Sequence, residues 1–493
     1  MEDGSPSQSK TMLRVLVHAL PWLSLALALT AGLALRLWML KHFFGVNGDA
    51  LIYGELGKSL VLHGGYGLMQ AGGVLQPTLI RLPGYPIFLA LCFRIFGMEN
   101  YASACWVQIA LELVGCLLLA DFARRIVPAS WGPSSRSGAA HCTLWLAVLC
   151  PFTAIYAAAP LTESLTLFAL ALALWSAACL GERPRWGAAL CFTFAVTYAA
   201  LLRPDGALAA VALAPAVLLG LLRKMRKSEI SKGRLVRMAV VCALLALMPF
   251  GAWTWRNWRV FHVFEPLAPR YANDPGQTTY PGWQRWVKTW CLDFVSTYDV
   301  YWPVPGSPLD LSKLPSRAFD SPVQYAETAA LASDYNDRDQ ATDIVPDVDQ
   351  RFAKLADERI AADPLRYYLW LPLGRVADMW LRPRVENMNI DLDWWVYSHH
   401  NSETRFSWAC AGLNALYLLL AAAGLWLRPA FWRSMLVYML LRSAMLATVE
   451  APEARYTLEC FPMLFALGGV GLYRFTYWVL ESVLKVKASA GRG

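Results

Sequence analysis

Long apolar runs with few charges constrain this chain more than any other feature. A helix needs about 20 consecutive apolar residues to cross the hydrocarbon core of a bilayer. Val15–Leu40, Ala102–Ala120 and Leu235–Trp255 each reach that length. Only 16% of the 493 residues are charged, against about a quarter in soluble domains. The sequence therefore predicts an all-α polytopic membrane protein.

About ten segments qualify as transmembrane helices. They are residues 15–40, 101–123, 141–159, 163–180, 187–202, 206–222, 235–256, 406–427, 431–448 and 457–478. Two long loops would lie outside the membrane, the first from about Phe43 to Asn100. We predict three parts: an N-terminal transmembrane module (1–256) with a functional first outer loop, a large outer loop with amphipathic helices (257–405), and C-terminal transmembrane helices with a basic tail (406–493).

Two segments of the large loop have the pattern of interfacial helices. Tryptophans recur at helical spacing beside Arg285 and Lys288, together with Val287 and Phe294 (Trp283, Trp286 and Trp290). This pattern predicts a helix lying in the membrane interface. The segment from Arg366 to Leu381 is apolar but interrupted by Arg375 and Asp378, so we expect it to lie flat.

The distribution of charge predicts the orientation. The segment from Arg223 to Arg237 carries seven Lys or Arg and one acid, Glu229, which places it in the cytoplasm by the positive-inside rule. The segment from Asn257 to Glu403 has a net charge of −7. Because the whole chain has a net charge of +8, the rest of the chain has a net charge of +15. The large loop should therefore lie outside. The basic balance suits an anionic inner leaflet, and nucleic acid is not an expected partner.

Polar residues at the outer ends of the predicted helices are the candidate chemical groups. They are Asp49, Arg81, Thr162, Glu163, Arg203, Asp205, Arg256, Asn257, Glu450, Glu453, Arg455 and Tyr456. Such groups are costly near a membrane unless they are paired or functional. Arginines bind phosphate bidentately, and a carboxylate can accept a proton from a hydroxyl. The set suits transfer chemistry on a phosphorylated lipid.

Several motifs carry a resemblance to a known family. Gly48-Asp49 with Tyr53, followed by the stretch from Arg81 to Ala90 (RLPGYPIFLA), resembles the first loop of the GT-C superfamily of integral-membrane glycosyltransferases. The bacterial protein mannosyltransferase and aminoarabinose transferase group is the most similar. Looser matches are Trp255-Arg256-Asn257-Trp258, Ala454-Arg455-Tyr456, and the run from Phe352 to Arg375. The fold implied is of GT-C type.

The resemblance implies an activity. A monosaccharide would pass from a polyprenyl-phosphate-linked donor to a hydroxyl of a protein, lipid or glycan acceptor, on the outer face of the cell's inner (plasma) membrane. The enzyme would be a hexosyl- or pentosyltransferase: mannose onto protein and a pentose or aminopentose onto a lipid glycan both stay open.

The family's motifs assign roles to residues of this chain. Asp49 matches the catalytic position and would be the general base of an inverting displacement, which needs one base near the nucleophile. Glu163 matches a second acidic position that holds the acceptor or shares a metal ion. The candidate ligands of the leaving phosphate are Arg81, Arg256 and Arg455. The remaining candidate substrate contacts are Tyr53, Tyr85, Asn257 and Tyr456.

One departure from the family bears on cofactors. The family often has an acidic pair in the first loop, whereas here Gly48 precedes a single Asp49. This weakens the case for a divalent metal ion, which stays open. His399 and His400 lack the i, i+4 spacing of a helical metal site, and we expect no zinc there.

Each role has a structural alternative. Asp49 could cap the helix that follows it. Pro83-Gly84-Tyr85-Pro86 could be a turn with an interfacial tyrosine, and the arginines could be snorkelling residues at helix ends. Glu112 is expected to form a buried hydrogen bond, with Gln108 as a candidate partner.

Two other classes of protein fit parts of the pattern. A polytopic transporter of a lipid-linked or anionic substrate would also have intramembrane polar groups, but no paired halves with broken helices are visible. A non-catalytic assembly subunit would tolerate replacement of Asp49. We favour the transferase over both.

Overall fold

The computed structural model describes residues 6–337, 343–395 and 401–490, and it is almost entirely helical. The N-terminal helices are α1 (Pro6–Phe43), α2 (Asp49–His63), α3 (Gly84–Phe96), α4 (Tyr101–Ile126), α5 (Gly132–Val148), α6 (Pro151–Ala157), α7 (Glu163–Glu182), α8 (Trp186–Leu202), α9 (Leu208–Arg226) and α10 (Lys232–Phe261). Between α2 and α3, strands β1 (Gly67–Met69) and β2 (Leu75–Pro77) pair antiparallel.

The remaining helices are α11 (Pro281–Lys288), the single turn α12 (Phe294–Ser296), α13 (Pro322–Asn336), α14 (Pro346–Ala362), α15 (Leu371–Leu381), α16 (Asn401–Trp426), α17 (Trp432–Leu446) and α18 (Phe461–Ala490). Short 3-10 or π-helical turns cover Ala129–Trp131, Pro204–Ala207, Thr297–Tyr301, Leu311–Lys313, Ser316–Ala318, Arg366–Trp370 and Ala454–Cys460.

Seven helical spans in the described ranges are long and apolar enough to cross a membrane. They are Pro21–Phe43, Tyr101–Ile126, Glu163–Glu182, Pro204–Arg226, Lys232–Phe261, Asn401–Trp426 and Ala454–Ser482, and α5 with α6 forms an eighth that is bent by 57°. Every predicted crossing falls on a helix, which confirms the all-α polytopic class. Two predicted crossings fall on shorter helices, α8 and α17, which have 17 and 15 residues, so the predicted number of about ten crossings stays a prediction.

The bend between α5 and α6 has an identifiable cause. Pro151 begins α6 and has no N–H to continue the helical ladder. Arg36 of α1 donates to the Val148 carbonyl at this break (2.8 Å) and is itself paired with Glu112 of α4 at 2.8 Å. Glu112 is therefore bonded to Arg36, and the interpretation that paired it with Gln108 was wrong.

The chain divides into two compact units, which are described separately. The first comprises residues 1–268, 416–438 and 459–493, and the second residues 269–415 and 439–458. The first unit contains α1 to α10 and α18. The second contains α11 to α15.

The tryptophan-rich segment of the second unit differs from its predicted environment. Helix α11 exists, but Trp283, Trp286 and Trp290 are at most 1% exposed. The rings of Trp283 and Trp286 lie 5.0 and 5.1 Å from the ring of Phe352 on α14. The prediction that this helix lies in the membrane interface was therefore wrong, because α14 covers its apolar face inside the unit.

The segment from Arg366 to Leu381 forms a π-helical turn followed by α15. Arg375, which interrupts its apolar pattern, is fully buried and donates to the Cys291 carbonyl at 2.8 Å. Tyr368 and Trp370 are exposed by 68% and 61%. Contact of this face with lipid stays a prediction. His399 and His400 lie outside the described residues.

Candidate functional site

The first loop of the chain places Asp49 at the start of α2. Gly48 precedes it with φ 50° and ψ −123°, a conformation that essentially only glycine adopts without strain. An acidic residue in place of Gly48 would be strained, which accounts for the single acid at this loop. Gly48 occupies the N-cap position, and Asp49 is the first helical residue. The proposed capping role of Asp49 is therefore not the geometry observed.

Asp49 forms an ion pair with Arg81. Its Oδ1 accepts from Arg81 Nη2 at 2.7 Å, and the two side chains are 31% and 21% exposed. Arg81 lies between β2 and α3, where its own carbonyl accepts a hydrogen bond from the Tyr66 hydroxyl at 2.9 Å. A carboxylate and a guanidinium thus sit side by side, partly open to the exterior, in the stretch that carries the family motif.

Tyr53 is a buried tyrosine beside this pair, and its phenol also responds to a second group of charges. It is one turn after Asp49 on α2, and the Arg81 Cζ lies 5.9 Å from its ring centroid. Burial raises the pKa of Tyr53 to about 12, and the charges of Asp49, Arg81, Glu163 and Arg203 all act on its phenol. The phenol is therefore sensitive to both groups of charges.

The second group is the Arg203 cluster, consisting of Arg203, Glu163, Asp205 and Glu459. Arg203 follows the end of α8 and contacts all three carboxylates: Glu459 at 2.9 Å, Glu163 at 3.3 Å and Asp205 at 3.4 Å. Glu163, the first residue of α7, and Glu459 are 2% and 1% exposed. The predicted second acid is thus held by an arginine at the end of the neighbouring helix.

Gly84 sets the separation between the first loop and the end of α8. A Cβ atom built on Gly84 would lie 2.6 Å from the Leu201 carbonyl oxygen, so only glycine allows this approach. Pro83-Gly84-Tyr85-Pro86 is the start of α3, with Tyr85 fully buried. The alternative of a turn with an interfacial tyrosine was wrong, because these residues begin a helix and Tyr85 is buried inside the protein. The motif also brings Arg81 and Arg203 onto adjoining segments.

Arg256, near the end of α10, holds the first loop from the other side. Its Nη1 donates to the Thr78 carbonyl at 2.8 Å and its Nη2 to the Tyr66 carbonyl at 2.7 Å. Its guanidinium lies within 5.4 Å of three ring centroids, those of Tyr66, Trp253 and Phe261. Arg256 does not snorkel towards solvent; it fixes the segment that leads to Arg81.

Two predicted substrate contacts are internal in this structure. Asn257 is 0% exposed, accepts from Arg256 at 3.0 Å and donates to the Glu265 carbonyl at 2.8 Å. Tyr85 is also 0% exposed, and its hydroxyl donates to Gln108 at 2.6 Å. The polar atoms of both side chains bond to neighbouring residues here, and their contact with substrate stays a prediction.

Arg455 and Tyr456 belong to the second unit. Both side chains contact the nearly buried Glu453: the Arg455 Nε at 2.5 Å and the Tyr456 hydroxyl at 2.5 Å. The Arg455 Cζ lies 5.7 Å from the Tyr456 ring. These contacts hold the two side chains in one arrangement within their own unit.

Sequence reasoning missed three residues of this region. Glu459 lies in an apolar stretch next to Cys460, and nothing in its neighbours marks it as the partner of Arg203. Gln108 was considered only as a partner of Glu112. Tyr66 gave no signal, because its contacts with Arg81 and Arg256 depend on the β1–β2 turn.

A metal site has no direct support in the described part of the chain. No group of three or more His, Cys, Asp or Glu there has the arrangement to hold a metal ion. In the Arg203 cluster the position between the carboxylates is taken by the guanidinium.

Comparison with known proteins finds similarity in structure. No family model matches the sequence, and no curated protein matches it. The chain is similar to the crystal structure of ArnT from Cupriavidus metallidurans in the apo state, with a TM-score of 0.39, 16% identity, and coverage of 92% of this chain and 78% of that chain. For the crystal structure of the same ArnT bound to undecaprenyl phosphate, the TM-score is 0.38 and the identity is 15%, with coverage of 91% of this chain and 78% of that chain.

The sequence motifs resembled the group that includes the aminoarabinose transferases, and the two similar solved structures are both of ArnT. At these TM-scores it assigns no activity and no residue role to this chain. The all-α polytopic architecture stands on the helices themselves.

Proposed function

We propose that this protein transfers a monosaccharide from a polyprenyl-phosphate-linked donor to a hydroxyl acceptor, with Asp49 as general base and Arg81 as a ligand of the leaving phosphate. The observation that carries the proposal is the Asp49–Arg81 pair. A base and a phosphate ligand stand 2.7 Å apart, partly exposed, within the motif of the first loop.

The pair is suited to both tasks. Arg81 favours the charged form of a neighbouring carboxylate, and only the charged form accepts a proton. When the phosphate group of the donor approaches, the planar guanidinium can bind it through two parallel hydrogen bonds. Asp49 is then released from part of its contact with Arg81 as the acceptor hydroxyl arrives.

The reaction is a single displacement. The acceptor oxygen forms a bond to the anomeric carbon while its proton passes to Asp49. The bond between the anomeric carbon and the phosphate oxygen breaks, and polyprenyl phosphate leaves with that electron pair towards Arg81. Attack opposite the leaving group inverts the anomeric carbon.

The Arg203 cluster would form the wall facing the acceptor. Glu163 is held at 3.3 Å by Arg203, so its orientation is fixed before any substrate binds. A preorganised carboxylate can hold acceptor hydroxyls with little ordering cost. Arg455 and Tyr456 remain candidate contacts of donor phosphate and substrate, whereas Arg256 would act by fixing the segment before Arg81.

We place the protein in the inner (plasma) membrane with the site on the outer side. The support is the charge asymmetry of the loops, together with the position of Asp49, Glu163 and Arg203 at helix ends that alternate along the chain. The acceptor would be a protein, lipid or glycan of that compartment.

The test is donor cleavage by purified protein. Undecaprenyl phosphate, the lipid present in one of the ArnT structures, is the carrier to use first. It should be linked to a series of radiolabelled pentoses and hexoses. The acceptor is a cell fraction that contains the proteins, lipids and glycans of the outer side of the inner membrane. The expected product is free undecaprenyl phosphate with label in the acceptor. Arg81→Ala should lose most of this product, and Arg94→Ala, at an exposed arginine of α3, should not. Movement of the intact lipid-linked sugar across vesicles without bond cleavage would instead identify a transporter.

A further inference from the structure

The side chain of Gln108 joins two parts of the first unit that the motifs left separate. Gln108 lies on α4 and is 0% exposed. Its Oε1 accepts from the Tyr85 hydroxyl at 2.6 Å, and its Nε2 donates to the Ala159 carbonyl at 2.8 Å and reaches the Ala157 carbonyl at 3.4 Å. Every polar atom of this amide is used.

The orientation of the amide follows from its partners. A main-chain carbonyl can only accept, so the NH₂ group must face Ala157 and Ala159. The oxygen must then face Tyr85, whose hydroxyl is the donor. No other arrangement of the same atoms satisfies all three groups, and an unsatisfied polar group buried here costs about 1–3 kcal/mol.

One end of this link leads to the Asp49–Arg81 pair. Tyr85 is four residues after Arg81, and its ring packs edge-on against Tyr53 with centroids 5.1 Å apart. Tyr53 in turn lies under the guanidinium of Arg81. The hydrogen bond to Tyr85 therefore fixes the aromatic floor beneath the proposed base and phosphate ligand.

The other end leads to Glu163. Ala159 lies in the connection between α6 and α7, four residues before Glu163, and its carbonyl also accepts from the Leu161 N–H at 2.8 Å. The connection follows the bent α5–α6 pair and is not part of a continuous helix. A side chain from α4 thus anchors the segment that presents the second acid.

We propose that Gln108 is a positioning residue that sets the distance between the Asp49–Arg81 pair and Glu163, by holding Tyr85 and the α6–α7 connection on one amide. The inference rests on the proposed function for its catalytic consequence. The link itself is a property of the fold and can be measured without a reaction.

The first experiment compares Gln108→Leu and Tyr85→Phe with Tyr417→Phe in the transfer assay. Tyr417 is a matched control, since its buried hydroxyl also donates to a carbonyl of the first unit, that of Leu146 at 2.9 Å. Misplacement of reacting groups lowers the rate more than the binding, and 1 Å costs on the order of 100-fold. We expect kcat to fall by roughly tenfold or more in the first two variants, with KM for the donor within twofold (about the scatter of repeat determinations).

A third variant, Gln108→Glu, tests the hydrogen-bond pattern by pH. A protonated carboxyl has the shape of the amide, donates through its O–H to Ala159 and accepts from Tyr85. A carboxylate cannot donate and faces two carbonyl oxygens. The activity of Gln108→Glu relative to wild type at each pH should fall as the pH rises, since the ratio removes titrations common to both proteins. A flat ratio would contradict the assigned pattern.

Hydrogen exchange of the peptide covering 157–165 tests the link independently of activity. It should speed up in Gln108→Leu but not in Tyr417→Phe, because the connection loses the Gln108 NH₂ group only in the first of these. Tyr85→Phe keeps the hydrogen bonds from Gln108 to Ala157 and Ala159 and should speed up the exchange less. Unchanged exchange in Gln108→Leu would overturn the inference even if the enzyme is active, as would a loss of kcat in Tyr417→Phe equal to that in Gln108→Leu. Wild-type protein that cleaves no polyprenyl-phosphate sugar would overturn the proposed function, and the exchange result would then decide the link alone.

Discussion

A close backbone approach beside the site gives a prediction of defined size. Gly84 begins α3, and a Cβ atom at this position would lie 2.6 Å from the Leu201 oxygen and 2.7 Å from the Leu201 carbonyl carbon. Real Cβ atoms essentially never come within 3.0 Å of such atoms. In Gly84→Ala the two segments must therefore separate by at least about 0.4 Å, because main-chain atoms cannot rotate away as a side chain would.

The consequences can be estimated for stability and for rate. Overpacking of this kind costs about 1–3 kcal/mol, so the thermal unfolding midpoint should fall. Since 1 Å of misplacement costs about 100-fold in rate, 0.4 Å between the segments carrying Arg81 and Arg203 should cost roughly five- to tenfold in transfer.

Gly115→Ala is the matched control. Gly115 lies within α4, and the nearest atom to its added Cβ is 3.6 Å away, an ordinary contact. Alanine in a helix interior is favoured over glycine by about 0.5–1 kcal/mol, so this variant should be as stable as wild type or more so, with normal transfer. The assays are thermal unfolding in detergent and release of undecaprenyl phosphate. A Gly84→Ala protein with wild-type stability and rate would refute the reasoning about this contact.

Three further predictions follow from the structure. Arg256→Lys should be nearly as defective in donor use as Arg256→Ala, since an ammonium cannot reproduce the fork that holds two carbonyls; full rescue by lysine in the transfer assay would show that charge alone matters. A cysteine at Asp337, in a background without exposed thiols, should react with an impermeant reagent on intact cells, and labelling only after lysis would reverse the orientation. Burial raises the pKa of Asp378 from 3.8 to about 6, so the stability that depends on the protonated carboxyl is fully present only below the lower value and is lost as the pH rises to about 6. Asp378→Asn should therefore raise the melting temperature relative to wild type at pH 8 and leave it nearly unchanged at pH 3.5, and equal effects at both would contradict this.

The helices were predictable because a membrane imposes a length and composition on each one. The first helix, with few charges across Val15–Leu40, needs no tertiary information to be recognised. The bent α5–α6 pair was also found as one segment, but its break depends on Pro151 together with Arg36, and Arg36 is remote in sequence. The short lengths of α8 and α17 were not predictable, because apolarity alone does not show where a helix stops.

The tryptophans of α11 show a second limit. Their spacing correctly predicted a helix with an apolar face, but the same face suits a membrane interface or a protein partner. Phe352, about 70 residues later, decides between them by covering Trp283 and Trp286. Amphipathicity identifies a buried face without identifying what buries it.

Within the candidate site, residues with a charge or a motif were identified, and those that position them were not. Asp49, Arg81 and Glu163 are conspicuous at helix ends. Gln108 carries no charge and matches no motif, so its importance arises only from what α4 brings it against. The partners of Glu163 were equally hidden, since the Arg203 contact requires the pairing of α7 with α8.

The central claim is that Asp49 removes the proton from the acceptor hydroxyl, and Asp49→Asn tests it most directly. Asparagine keeps the shape and can still accept a hydrogen bond from Arg81, so the first loop should keep its structure and the protein should still bind undecaprenyl phosphate. The loss of helix-dipole stabilisation at this first-turn position is only about 0.3–1 kcal/mol.

The measurement is transfer of radiolabelled sugar by purified Asp49→Asn protein. Asp121→Asn is the control, because it removes a carboxylate that is paired with Arg124 and Arg125 near the C-terminal end of α4. We predict a loss of about 100-fold or more in kcat for Asp49→Asn, the scale of a missing general base, and near-normal transfer for Asp121→Asn. Near-normal turnover of Asp49→Asn would contradict the proposed mechanism and move the base to Glu163.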